Sequence, residues 1–190
     1  MTVDQLIRDL RKVMSDREVA ETVRERLRSF SEAGKKPPEQ LFQELAFCIL
    51  AANYTARGSM RIVEELGERL LTLDREKLAE ELRRLGHRFP EARAEYLVEA
   101  RENLPRIMRA LREVRDEHRL RAWLAENVKG LGYKEASHFL RNIGFRSLAI
   151  IDFHILRVLE RYGVIEPVKT LTKKRYLEIE SILRRIASRL

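Results

Sequence analysis

Apolar residues recur every three or four positions along almost the whole chain, which is the period of an α-helix with one buried face. The first segment shows this period with Val3, Leu6, Ile7 and Leu10. No segment shows the sustained apolar–polar alternation that a half-buried strand requires. The sequence therefore predicts an all-α fold of about ten helices with short connections. Predicted helices cover residues 2–13, 17–30, 38–52, 75–85, 90–103, 105–114, 117–127, 148–161 and 173–188, and two more follow residues 55 and 132.

Local signals indicate how several of these helices begin and which one is buried. Segment 38–52 is apolar on most sides, so we expect it to be a buried central helix. Asp74 and Thr172 stand where N-caps are expected, and Pro90 suits the first turn of the helix that it opens.

The positive charge of the chain is concentrated near its end. Of 38 Lys and Arg and 30 Asp and Glu in 190 residues, residues 121–190 contain 14 and 7. Such a basic region favours a polyanionic partner, although a solvated helical surface gives the same composition. The low content of Asn and Gln, four and three residues, predicts a heat-adapted source.

Other features of the composition exclude whole classes of protein. The single cysteine, Cys48, excludes an internal disulfide, a multi-cysteine zinc site and a cysteine-ligated iron–sulfur cluster. No run approaches the ~20 apolar residues of a membrane span. The N-terminus is charged from its fourth residue, unlike a signal peptide. We expect a soluble cytoplasmic protein with no membrane association.

The most informative segment is a glycine hairpin between two predicted helices. Gly130 and Gly132 flank Leu131, which we expect to plug the hairpin into the core. The first N–H groups of the following helix would then bind phosphate without reading base sequence. A simple helix–helix turn is the other interpretation of this pattern.

Two polar residues near the hairpin are candidates for chemistry. Lys134 stands close to a helix N-terminus, where a cation is electrostatically unfavourable. Partial desolvation there would ease loss of its proton, and a neutral amine can form a Schiff base. Asp152 lies between apolar neighbours at the start of a predicted helix. It can serve as the N-cap of that helix, as a carboxylate that faces a cleft, or as both. His154 lacks a second histidine at ligand spacing, so we expect no metal site.

The segments KGLGYKEASHFLRNIG and LAIIDFHILRVLERYG resemble the helix-hairpin-helix DNA glycosylase superfamily. Within it the chain is most similar to the archaeal-type 8-oxoguanine DNA glycosylase/AP lyases, a resemblance shared by AFCILAANYTAR and GHRFPEARAEYLVEAR and extending over about residues 38–188. The resemblance implies one glycosylase unit, 1–190, made of two helical subdomains with a DNA-binding cleft between them. One is a helical barrel, 34–145, that contains the hairpin. The other is formed by 1–33 plus 146–190.

The resemblance also implies a mechanism. Lys134 is the nucleophile that attacks C1′ of the damaged nucleotide. Asp152 stabilises the cationic sugar and helps to deprotonate Lys134. The base must be flipped out of the duplex before it can be excised. The lysine then leaves an imine, and β-elimination nicks the strand.

Contacts to DNA are implied for a further set of residues. Gly130 and Gly132 let hairpin amides grip the DNA backbone 3′ to the lesion. Asn53 and Arg57 belong to a region that enters the gap left by the flipped base. Phe89 acts as an aromatic wedge, and His154 lies near the lesion's phosphates. A core position is the other interpretation of Phe89.

The same resemblance sets expectations about ligands and location. The expected partner is duplex DNA containing 8-oxoguanine, bound by a monomer associated with the nucleoid. No organic cofactor or catalytic metal is implied, and a monovalent cation on hairpin carbonyls is left open.

Two departures from the superfamily are visible. The chain lacks the four-cysteine cluster of the iron–sulfur branch. It also ends at Leu190, whereas members of the resembled family continue into a short aromatic segment that ends in lysine and helps to recognise the oxidised base. Three interpretations stay open: a truncated form of a longer chain, the ordered part of a longer chain, or a whole protein in which recognition of the oxidised base is in doubt.

Three other functions remain open at this point. The first is a glycosylase of the same fold for another damaged base, which would keep Asp152 without needing Lys134. The second is a non-catalytic helix-hairpin-helix module that binds phosphates. The third is a helical scaffold with no nucleic-acid role, for which salt-insensitive or absent DNA binding would be evidence.

Overall fold

The computed structural model describes residues 2–190, and the secondary structure of this part of the chain is entirely helical. The all-α prediction is therefore confirmed. The helices are α1 (Val3–Ser15), α2 (Arg17–Ala33), α3 (Pro38–Ala51), α4 (Ala56–Leu66), a 3₁₀ turn (Gly67–Leu71), α5 (Arg75–Arg84), α6 (Pro90–Glu102), α7 (Leu104–Glu113), α8 (Glu117–Asn127), α9 (Tyr133–Asn142), α10 (Phe153–Arg161) and α11 (Lys173–Ala187).

Helix starts follow the local signals in the sequence. The side chains of Asp74 and Thr172 accept hydrogen bonds from the third residue of α5 and α11, so both predicted N-caps are confirmed. Pro90 is the first residue of α6, also as predicted.

The predicted helix over 148–161 is wrong in its first turn. Residues 148–152 are not helical, and α10 begins only at Phe153. The reason lies in α11, where the Tyr176 hydroxyl donates to the Ala149 carbonyl at 2.6 Å. The Glu180 carboxylate accepts from the Ala149 amide at 2.9 Å. In an additional helical turn the Ala149 carbonyl would accept from residue 153, so its bond to Tyr176 takes the place of that helical bond.

The chain divides into two compact units. The first contains residues 2–29 and 149–190 and includes α1, α10 and α11. Its core includes Leu6, Ile151, Leu159 and Ile179. The assignment of 1–33 plus 146–190 to a second subdomain stays a prediction.

The second unit, residues 30–148, surrounds α3. Helices α4, α6 and α9 pack against α3. The predicted buried central helix is therefore confirmed, and its buried residues are Leu41, Phe42, Leu45, Ala46, Phe47, Cys48, Ile49 and Leu50. The helical-barrel subdomain expected at 34–145 stays a prediction.

Residues 2–190 lack two features that mark other protein classes. No helix in this range combines the length and apolarity that crossing a bilayer would demand. The same residues contain no group of three or more His, Cys, Asp or Glu side chains arranged to hold a metal ion.

Candidate active site

The glycine hairpin joins α8 to α9, and the two helices pack against each other. Gly130 has φ +84°, a conformation that residues with a side chain rarely adopt. A Cβ atom there would lie 2.8 Å from Cδ2 of Tyr96 and 3.3 Å from Cγ2 of Ile49. Leu131 is buried, which confirms the prediction that it anchors the hairpin in the core.

The second glycine ends the hairpin and begins the next helix. Gly132 is the N-cap of α9 in an extended conformation, and no side chain caps the helix there. Because no side chain accepts their hydrogen bonds, the N–H groups of the first turn of α9 can donate to other acceptors, and phosphate oxygens are suitable ones. The geometry therefore fits the phosphate-binding interpretation of the hairpin.

Lys134 is the second residue of α9, and its side chain is about one-third exposed. Its Nζ atom lies 2.9 Å from Oε1 of Glu135, a carboxylate that is only 14% exposed. Lys129, at the other end of the hairpin, differs because its Nζ lies 2.7 Å from Glu99 and its side chain is more exposed. The structure thus holds two lysines beside the hairpin in different ion pairs.

A pocket of about 420 Å³ opens against the hairpin in the same unit. Its walls combine hairpin backbone with polar side chains of α6, α9 and the turn after α3. The lining residues are Ala52, Asn53, Arg93, Tyr96, Gly130, Leu131, Gly132 and Glu135.

Arg93 supplies a buried positive charge to this pocket. Its guanidinium donates to the Ala52 carbonyl at 2.6 Å, and its Nε atom is buried without a hydrogen-bond partner among the described residues. Burial lowers the pKa of the Arg93 guanidinium, which still remains charged at neutral pH. A cation held this firmly can stabilise negative charge that enters the pocket.

The predicted insertion residues are exposed in the same unit. Asn53 follows α3 with φ +59°, a left-handed conformation that asparagine tolerates better than most residues. Arg57 lies in the first turn of α4. Phe89 is 38% exposed, with the guanidinium carbons of Arg88 and Arg93 5.1 and 5.8 Å from its ring centre. Its exposure argues against the core interpretation.

Asp152 belongs to the first unit and caps α10. Its Oδ1 atom accepts from the amides of His154 and Ile155, each at 3.0 Å, which confirms the N-cap prediction. Oδ2 takes no part in these two bonds. The exposed His154 ring contacts the Phe153 ring at 3.8 Å between ring centres with a tilt of 36°, and the Arg157 guanidinium lies 5.4 Å from the Phe153 ring centre.

The single cysteine is far less suited to chemistry. Cys48 is fully buried in α3, and burial raises the pKa of its thiol well above the ordinary value. The nearby carboxylates of Glu44 and Glu135 act in the same direction. A thiol in this environment is a packing residue.

Comparison with known proteins bears directly on this arrangement. The sequence model of the family described as 8-oxoguanine DNA glycosylase matches residues 23–190. The chain belongs to the 8-oxoguanine DNA glycosylase family. The 8-oxoguanine DNA glycosylase/AP lyase of Korarchaeum cryptofilum is 50% identical over 190 residues, which are all of this chain and 90% of that protein.

Solved structures agree with this family assignment. The crystal structure of the Methanocaldococcus jannaschii 8-oxoguanine DNA glycosylase matches 97% of this chain and 86% of its own, with a TM-score of 0.90 and 45% identity. The M. jannaschii 8-oxoguanine glycosylase/lyase in complex with a 15mer DNA containing 8-oxoguanine also gives a TM-score of 0.90, at 44% identity. It covers 97% of this chain and 89% of its own. The helix-hairpin-helix glycosylase fold is thereby confirmed.

Family membership also bears on the expected source, since many matching members of the 8-oxoguanine DNA glycosylase family come from thermophiles. This agrees with the heat-adapted source that the low Asn and Gln content predicts.

Two polar residues of the pocket in this glycosylase were not identified from the sequence. Arg93 and Glu135 have no local signal that distinguishes them from the other charged helix residues. Arg93 is buried because it reaches a carbonyl 41 positions earlier in the chain. Glu135 is partly buried beside Lys134 at the hairpin pocket. The periodicity of a helix does not report such long-range contacts.

Proposed function

We propose that this glycosylase excises 8-oxoguanine from duplex DNA and then cleaves the strand at the abasic site. The observation that carries the proposal is Lys134, an amine at the start of the helix that follows the glycine hairpin. Relatives named 8-oxoguanine DNA glycosylase/AP lyase support both activities, and the structure with 8-oxoguanine DNA supports the substrate. These matches favour the enzyme over a non-catalytic module, a scaffold or a glycosylase for another base.

The first chemical step replaces the damaged base by the lysine. Once Nζ of Lys134 has given up its proton, it attacks C1′ with its lone pair, and the N-glycosidic bond breaks with its electron pair leaving on the base. Positive charge develops on the sugar, and the carboxylate of Asp152 stabilises it. The Oδ2 atom, which takes no part in the helix cap, is the oxygen we assign to this role.

The second step cleaves the strand. After the sugar ring opens, the Lys134 adduct becomes an imine at C1′, which makes a C2′ proton acidic. Loss of that proton expels the 3′ phosphate by β-elimination, and hydrolysis of the imine releases Lys134. A water nucleophile would leave an intact abasic site, so the lysine distinguishes a bifunctional enzyme from a simple glycosylase.

The remaining residues of the proposal contact DNA. Gly130 and Gly132 let the hairpin amides approach a backbone phosphate, as a helix N-terminus does for anions. His154 lies near the phosphates of the lesion. Asn53 fills the gap left by the flipped base, and exposed Phe89 acts as the wedge. Arg57, exposed in the first turn of α4, enters the same gap.

We further propose that the enzyme acts as a monomer, in the cytoplasm and associated with the nucleoid. Nothing in the proposed chemistry requires a second copy, an organic cofactor or a catalytic metal. A monovalent cation on the hairpin carbonyls would complement the phosphate contact.

Strand cleavage with and without hot alkali tests the proposal. The substrates are an 8-oxoguanine:cytosine duplex and the matching undamaged duplex. We expect cleavage of the damaged strand without alkali and no cleavage of the undamaged one. Product that appears only after alkali would contradict the lyase activity, and the absence of product on 8-oxoguanine would contradict the substrate.

A further inference from the structure

A buried histidine links two segments that lie 37 residues apart in the sequence. His87 is 5% exposed and lies between α5 and α6. Its Nε2 atom is 3.0 Å from the carbonyl oxygen of Leu50, in the last turn of α3. Its Nδ1 atom accepts from the Phe89 amide at 3.1 Å. Because the Phe89 amide can only donate, Nδ1 must be unprotonated and Nε2 carries the proton toward Leu50.

The histidine is the centre of a wider set of contacts between the same segments. The Tyr54 ring lies 4.4 Å from the His87 ring, and the Tyr54 hydroxyl donates to the Gly86 carbonyl at 3.1 Å. Arg93 donates to the Ala52 carbonyl at 2.6 Å. These bonds connect the turn that carries Asn53 with the loop that carries Phe89.

The contacts constrain backbone next to the side chains proposed to enter DNA. Asn53 has the one left-handed φ of a non-glycine residue in the described part of the chain, a conformation that asparagine tolerates and that surrounding contacts stabilise further. Bonds to Leu50 and Ala52 fix the chain that leads into it. The bond to the Phe89 amide fixes the backbone that presents the wedge.

We propose that His87 is a positioning residue that joins the Asn53 turn and the Phe89 loop into one rigid unit, so that both side chains enter the DNA helix together. The proposal rests on the roles assigned above to Asn53 and Phe89. Insertion requires both side chains to be in place at the moment of base flipping. Because the fold already orients them, the activation barrier for flipping is lower. A histidine that merely filled the core would stabilise the protein without coupling the two side chains.

The two hydrogen bonds can be removed separately. His87→Gln retains a donor near the Nε2 position and loses the acceptor for Phe89. His87→Asn retains that acceptor, because an asparagine oxygen bonds the amide two residues later in an Asx turn, and loses the donor to Leu50. Arg101→Met is the matched control, since the Arg101 guanidinium donates to the Leu70 and Leu73 carbonyls in the same unit and these hydrogen bonds involve neither segment.

The assay is stopped-flow fluorescence of 2-aminopurine placed beside 8-oxoguanine in a duplex, measured well below the lowest melting temperature of the variants. We expect both His87 variants to slow flipping about fivefold to tenfold, the range for one net hydrogen bond. Cleavage of a preformed abasic site in single-stranded DNA should be unchanged, because no duplex has to be opened. Arg101→Met should lower the melting temperature without slowing flipping.

A double-mutant cycle separates coupling from general destabilisation. The effects of Asn53→Ala and Phe89→Ala on the activation free energy of base flipping should be non-additive in the wild-type background. In the His87→Gln background the same two effects should be additive. The same non-additivity in both backgrounds would overturn the inference about His87. If neither Asn53→Ala nor Phe89→Ala alone slows flipping, the insertion roles themselves are wrong.

Discussion

Replacing Gly130 by alanine tests whether the hairpin needs a glycine for the reasons the structure gives. The positive φ costs an alanine about 1–2 kcal/mol. The new Cβ would also lie 2.8 Å from the ring of Tyr96, and overpacking of this kind costs about 1–3 kcal/mol. The reduced freedom of the unfolded chain offsets about 0.4–1 kcal/mol. We therefore expect a net loss of about 1–5 kcal/mol in the free energy of unfolding, a large part of the ~5–15 kcal/mol that natural domains possess.

Gly86→Ala provides the control for backbone strain alone. Gly86 has a similar φ of +79°, but a Cβ atom there would have no neighbour within 4 Å. We expect this variant to lose only about 1 kcal/mol, from strain minus the unfolded-state gain. The difference between the two variants measures the crowding of the new Cβ atom by Tyr96 and, to a smaller extent, by Ile49.

Urea denaturation at equilibrium measures both free energies, and melting temperatures should fall by about 2–4 °C per kcal/mol for a chain of this size. In a Tyr96→Ala background, Gly130→Ala should cost less, since the crowding ring is gone. Equal losses for Gly130→Ala and Gly86→Ala, or no relief in the Tyr96→Ala background, would refute the packing argument.

Three further predictions concern single side chains. Asp152→Asn should slow base excision strongly while the free energy of unfolding barely changes, because asparagine caps a helix as well as aspartate does; loss of folding in urea titrations would favour a purely structural role. Burial lowers the pKa of His87, with Arg93 adding to the effect, so its neutral form is favoured in the fold. Wild-type stability should therefore fall as pH decreases below about 6.5, the ordinary histidine pKa, and His87→Gln should lose this part of the pH dependence in urea titrations. Cys48 should react with a thiol reagent only when urea unfolds the protein, and fast modification of the native protein would contradict its burial.

Local structure was largely predictable from the sequence because its causes are local. Asp74, Thr172 and Pro90 act on amides within three residues of themselves, and the structure confirms all three. Segment 148–152 was mispredicted because its backbone bonds to Tyr176 and Glu180, more than 25 residues later. The spacing of apolar residues around segment 148–152 gives no information about these distant hydrogen-bond partners.

The candidate site was predictable to the extent that it lies in continuous segments. The hairpin and Lys134 lie within five residues of one another. Asp152 is recognisable as an N-cap because it directly precedes a helix. Arg93 and His87 are buried where they hydrogen-bond to the carbonyls of Ala52 and Leu50, respectively. Both carbonyls lie at the C-terminal end of α3. Polar residues that are buried by distant backbone look like surface residues in the sequence.

The identity of the nucleophile is the central claim, and borohydride trapping tests it most directly. The wild-type protein is incubated with an 8-oxoguanine:cytosine duplex, the imine is reduced, and the modified peptide is located by mass spectrometry. Lys129→Gln is the matched control for Lys134→Gln, because both remove a lysine in an ion pair beside the hairpin. We predict an adduct on Lys134, present in Lys129→Gln and absent in Lys134→Gln. An adduct on another residue, or full trapping by Lys134→Gln, would contradict the account.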